Sequence, residues 1–221
     1  MNLIKITKYK NDILIEEYYL NNFDELDGSS KKWYDNGQLK LVENYKNDKL
    51  NGHCIEYYRN GKISKDVHYI KEKLDGMCKW YYDNGNIQFE KFYKQGIMNG
   101  IFKEYYSNGK LKREGNFKND KKEGIWKLYY ENGGVRLEEN YIIGKLEGKF
   151  REWYDNGQLE AEGTYIKNYL EGIFITYYKN GKLKSKGNLK GNLEDGEWLR
   201  YDERGNEIKK IYKIGKLIEE I

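Results

Sequence analysis

The stretch Gly100-Ile101-Phe102-Lys103-Glu104-Tyr105-Tyr106-Ser107-Asn108-Gly109-Lys110-Leu111-Lys112-Arg113-Glu114-Gly115 decides the fold, because the chain repeats it. Gly28, Gly52, Gly76, Gly100, Gly124, Gly148, Gly172 and Gly196 follow one another at a constant spacing of 24 residues. With each of these glycines as position zero, position 5 is aromatic throughout: Trp33, Tyr57, Tyr81, Tyr105, Tyr129, Trp153, Tyr177 and Tyr201. Position 6 is Tyr in the first seven repeats, and positions 8 and 9 read Asn-Gly in the same seven, from Asn36-Gly37 to Asn180-Gly181. A fixed period of this length identifies a repeat architecture, in which each repeat buries its apolar face against its neighbours.

Asn-Gly between aromatic and β-branched runs is a hairpin signal, since a two-residue type I′ turn needs positive φ at both central residues. The chain contains no Pro, consistent with uninterrupted ladders. Each repeat thus reads as one β-hairpin, with six-residue loops such as residues 46–51 joining one hairpin to the next. The fold class expected is all-β: an elongated single antiparallel meander of about 16 strands, some 75 Å long at about 4.8 Å per strand, twisted or curled. Residues 1–27 read as a degenerate N-terminal capping repeat, with Tyr9-Lys10-Asn11-Asp12 in the place of Tyr-x-Asn-Gly. Residues 28–221 read as eight hairpin repeats, the last divergent and capping.

A two-residue turn at positions 8 and 9 puts position x opposite position 17 minus x. Position 3 then meets position 14, pairing Lys79 with Glu90, Lys103 with Glu114, Lys127 with Glu138 and Arg151 with Glu162. Position 2 meets position 15, so Phe102, Phe150 and Phe174 face Gly115, Gly163 and Gly187, an aromatic covering a strand glycine. Trp126 opposite Glu139 breaks that pattern. One face is expected to carry positions 2, 6, 11, 13 and 17, apolar and aromatic. The other carries positions 3, 7, 10, 12 and 14, charged or amide, with the aromatic of position 5 among them.

The quoted unit resembles the variant MORN repeats of the YwqK-type antitoxin family, and the likeness runs from residue 28 to about residue 217. The resemblance implies an elongated antiparallel sheet without catalytic residues, in a protein of the antitoxin or immunity type that binds a toxin. Ordinary MORN repeats are associated with scaffolding and lipid contact. Here Tyr-Tyr-x-Asn-Gly replaces their Tyr-x-Gly motif.

Chemistry is sparse. The 221 residues include 40 Lys+Arg, 36 Asp+Glu, 2 His and 2 Cys, a nearly balanced charge of +4 that gives little pull toward nucleic acid. His53 and His68 have no nucleophile in a recognisable motif beside them, and no glycine-rich phosphate loop is present. No catalytic residue, cofactor site or metal site is expected, and the chain reads as a non-enzyme. Cys54 and Cys78 share position 2 of adjacent repeats, about 9.6 Å apart and too far for a disulfide; they read as reduced packing residues. No apolar run is long enough to span a membrane, and the first eight residues lack the core of a secretory signal, so a soluble, cytoplasmic chain is expected.

The candidate binding residues are Trp33, Tyr57, Tyr81, Tyr105, Tyr129, Trp153 and Tyr177, an amphipathic ladder among charges. Their alternative role is to cover the stems of neighbouring Lys and Glu. The functional expectation is protein binding, with a cognate toxin as the family-implied partner. The alternative is a scaffold or lipid-surface protein, and self-association through an uncovered edge is a further expectation.

Overall fold

The computed structural model describes residues 3–221; Met1 and Asn2, at the start of the expected cap, lie outside them. Among the described residues every regular element is a β-strand, 23 in all, and no helix is present. Each ladder is antiparallel and joins strands that follow one another in the chain, the meander expected. The chain divides into two compact units, Met1–Lys110 and Leu111–Ile221.

The strand count exceeds 16 because one strand is split in four of the repeats and because Ile4–Lys10, Ile13–Leu20 and Lys216–Glu220 add strands outside the eight hairpins. In the first unit, Leu39–Lys46 pairs on one side with Gly28–Trp33 and on the other with both Lys49–Leu50 and Gly52–Tyr57. The break falls at Asn51-Gly52, where two additional residues bulge from the ladder. Gly52 has φ +124°, and a Cβ there would stand 2.9 Å from Asn44 Cβ, so both conformation and space demand glycine here, and positive φ recurs at every position-zero glycine.

The two reversals of each repeat exchange the roles expected of them. The segment expected as a six-residue loop is a tight hairpin: Lys46 pairs with Lys49 around Asn47 and Asp48, both at positive φ (48° and 62°), the type I′ signature. The Asn-Gly reversal is instead a three-residue loop. Around Asp35-Asn36-Gly37, Tyr34 N–H donates to Gln38 O at 2.8 Å and Gly37 N–H to Tyr34 O at 3.0 Å, and only Gly37 has positive φ. This is a type I turn followed by a left-handed glycine.

A loop one residue longer would shift the register by one, but a one-residue bulge restores it. Trp33 pairs with Leu39 and Lys32 with Leu41, leaving Lys40 as the additional residue. The same shift recurs beside Tyr57, Trp153 and Tyr177. From position 4 back to position zero the sum of 17 therefore holds: Lys79 pairs with Glu90, Lys127 with Glu138 and Arg151 with Glu162. The bulge also moves position 11 from its expected face, since it now pairs with position 5 and shares that residue's side.

The apolar face carries positions 2, 4, 13, 15, 17 and 22. In the first unit Cys54, Val67 and Cys78 are buried together against Leu41, Tyr69, Leu74, Trp80 and Tyr93. Both thiols are free, as the spacing requires, and burial pushes the Cys54 thiol up to about 11. In the second unit the position 2 column is aromatic. Phe150 stacks on Phe174 at 6.2 Å, and Phe174 meets Trp198 at 6.5 Å.

Strand glycines are covered from a direction the repeat period did not reveal. Phe174 pairs with Gly187, yet the ring over Gly187 is Trp198 of the next repeat, whose Cδ2 would lie 2.2 Å from an added Cβ. Gly163 is nearer Phe174 (3.0 Å) than Phe150 (3.6 Å). Trp126 ceases to be an exception, because it seats on Gly115 of the preceding repeat, 2.3 Å from a Cβ position there. Its indole donates to Asn116 O at 3.1 Å, as Trp198 donates to Asn188 O at 3.0 Å.

Candidate partner-binding face

Positions 1, 3 and 5 alternate onto the side opposite the core, together with positions 14 and 16 across the hairpin. Trp33, Tyr57, Tyr81 and Tyr105 lie on this side in the first unit, and Tyr129, Trp153 and Tyr177 in the second; all seven are half-buried. Their partial burial has a cause in the bulge. The register sets the ring's residue directly against an aliphatic one: Trp33 with Leu39, Tyr57 with Ile63, Tyr81 with Ile87, Tyr129 with Val135, Trp153 with Leu159 and Tyr177 with Leu183.

Charged groups fix several of these rings. Glu90 accepts the Tyr105 hydroxyl at 2.7 Å and sits 3.1 Å from the Lys79 ammonium. Burial would raise the Glu90 carboxyl, but the Tyr105 and Lys79 hydrogen bonds outweigh it and hold it below the usual range. Tyr129 donates to Glu114 at 2.7 Å, and burial together with that carboxylate raises its phenol. Tyr177 reaches Glu162 at 3.3 Å, and Arg151 lies 3.6 Å from the same carboxylate. Lysine, glutamate and tyrosine thus neutralise one another along the face, leaving aromatic edges rather than free charge.

The tyrosine of position 6, expected in the core, binds repeats to each other. Its hydroxyl donates to the position 5 carbonyl of the following repeat: Tyr34 to Tyr57, Tyr58 to Tyr81, Tyr82 to Tyr105, Tyr130 to Trp153, Tyr154 to Tyr177 and Tyr178 to Tyr201, all between 2.6 and 2.9 Å. Lys40 and Arg59 stand over the Tyr34 ring at 5.6 and 5.4 Å, which places this ring among cations rather than in a dry interior.

Residues outside the expected set complete the face. Met77 pairs directly with Phe92, and both are exposed, as are Ile101, Ile125 and Ile173 of position 1, at 47%, 55% and 59%. Ile173 lines two depressions. One, of about 340 Å³, is lined by Lys186, Gly187, Asn188, Asp195 and Glu197 among others; the second, of about 140 Å³, by Lys149, Arg151, Glu162 and Thr164. Alternation from position 5 back to position 1 was the available signal for these residues. His53 and His68 are also brought together, as a directly paired couple with ring centroids 5.3 Å apart. Among the described residues no group of three or more His, Cys, Asp and Glu side chains converges as a metal site.

The family model described as "MORN repeat variant" matches seven segments, 26–47, 50–71, 74–95, 98–119, 122–142, 146–167 and 170–190, together more than half of the chain. Each match spans the Asn-Gly loop and the return strand of one repeat. A search of curated proteins found no match.

Proposed function

Because the chain belongs to the MORN repeat variant family, we propose that it is a non-catalytic repeat module that binds a protein partner through the face carrying position 5. The observation that supports this reading is the composition of that face. Tyr105, Tyr129 and Tyr177, half-buried and fixed by hydrogen bonds to Glu90, Glu114 and Glu162, stand in the same strands as exposed Ile101, Ile125 and Ile173, and exposed Met77 shares a strand with half-buried Tyr81. Rings held in place lose little freedom on association, and apolar contacts beside them supply area without a pocket. The finer reading is an antitoxin or immunity protein that occludes a toxin, in keeping with the family likeness. Lipid binding is the less favoured role, since a cationic surface is needed and the lysines of this face are matched by glutamates.

Photo-crosslinking tests the proposal. A photoreactive residue placed at Ile125 or Ile173 in the native host is expected to trap one protein, and the same residue at Arg59, in an Asn-Gly loop, is expected not to. Replacing Tyr105 and Tyr129 together by Ala should weaken that complex while the β-sheet spectrum persists. The antitoxin reading further requires the trapped protein to arrest growth when produced without this chain. Crosslinks to lipid alone, or affinity unaltered in the double variant, would remove the face from the proposal.

A further inference from the structure

We propose that His53 and His68 form a binding site for a divalent transition-metal ion of imidazole preference, such as Zn²⁺. The two are positions 1 and 16 of one repeat and pair directly across the hairpin, so their side chains leave the sheet on the same side. Their rings are nearly perpendicular, at 77°, with centroids 5.3 Å apart. Two imidazoles sharing one tetrahedral ion at the usual Zn–N length place their centroids about 5 Å apart, so the observed separation accommodates the ion with little adjustment.

Asp66 supplies a second, independent feature. Its Oδ1 lies 3.4 Å from His53 Nδ1. A carboxylate behind a histidine holds the proton on the nearer nitrogen and turns the lone pair of the other nitrogen outward, the usual support of a metal-bound imidazole. Asp66 also pairs along the backbone with Lys79, whose ammonium lies 3.1 Å from Glu90. The His53 side chain is 67% exposed, giving the ion an open approach from solvent. With two protein nitrogens the remaining coordination positions are filled by water, which favours zinc or copper over magnesium or calcium, whose preference is for oxygen cages. The site does not depend on the partner-binding proposal.

The test uses the untagged full chain and ZnCl₂. The chain has two histidines, so its imidazole Hε1 region holds two resonances, and both are expected to shift together and saturate at one Zn²⁺ per chain. Calorimetry should show the same stoichiometry, an affinity about tenfold weaker in Asp66→Asn, and no saturable binding in the double variant His53→Gln/His68→Gln. Movement of one imidazole alone, no movement of either, or binding that survives in the double variant overturns the site. Because the resonances are read on the unaltered protein, a variant that folds poorly does not spare the proposal.

Discussion

Trp198 leaves no room for a methyl group on Gly187, and Trp126 leaves none on Gly115, because each indole lies against the glycine's backbone. Neither glycine requires a positive φ, so the constraint is one of space alone. Gly187→Ala is therefore expected to lower stability by about 1–3 kcal/mol, the range for overpacking, measurable as an earlier urea midpoint. Trp126 is 1% exposed, and Trp126→Ala should cost about 3–5 kcal/mol. Its loss both empties the aromatic column and uncovers Gly115. Tyr58→Phe keeps the ring and removes one hydroxyl bond to Tyr81 O, for which about 0.5–1.5 kcal/mol is expected.

In the hairpin loops Asn-Gly closes a three-residue loop, and its Asn acts through its side chain. Asn60 has no positive φ; its side-chain Oδ1 accepts Lys62 N–H at 3.0 Å, and its side-chain Nδ2 donates to Asp83 O of the next loop at 2.9 Å. The same Asn bridge recurs at Asn84, Asn132 and Asn156, so the loops are linked rung to rung. Asn60→Gly would be harmless in a type I′ turn. Here it removes two hydrogen bonds, and a loss of about 1–2 kcal/mol in chemical denaturation is expected. The opposite reversals behave conversely. Lys71 and Glu72 hold φ of 49° and 66°, a conformation that disfavours both side chains, and the bond from Glu72 N–H to Leu50 O is purely backbone. Lys71→Asn with Glu72→Gly should accordingly stabilise by about 0.5–1 kcal/mol, read as a higher Tm.

At the scale of the molecule, repetition turns small local terms into collective ones. Burial, the first cause in each case, raises the phenols of Tyr45, Tyr69, Tyr141, Tyr165 and Tyr177, with carboxylates adding to it. A phenol whose folded value is raised contributes stability that is complete below its unfolded value, near 10, and is lost as the pH climbs toward the folded value. The β-sheet spectrum should therefore collapse above pH 10 in step with the ultraviolet signal of phenolate, and phenolate forming first in an intact sheet would contradict this. Because each repeat packs on its sequence neighbours, removal of residues 148–171, one whole period, should leave a cooperative β protein of lower stability. Removing half a period would place Asn-Gly where a type I′ turn belongs and should abolish folding.

The 24-residue period, the alternation along each strand and the near-balance of charge determined by themselves that the chain is an all-β meander, that position 2 is core, and that position 5 looks outward among Lys–Glu pairs. These are nearest-neighbour properties of a strand, set by alternation of side chains and legible in a single repeat. The type of each reversal, the bulge that brings position 11 beneath position 5, and the glycines covered by the following repeat were decided by tertiary structure. A repeat read alone does not reveal which neighbour fills its gaps, since packing across the period is a matter of shape and not of sequence distance. The His53–His68 couple lies between these cases: the sum of 17 already places them face to face, but only the folded hairpin sets Asp66 behind one ring.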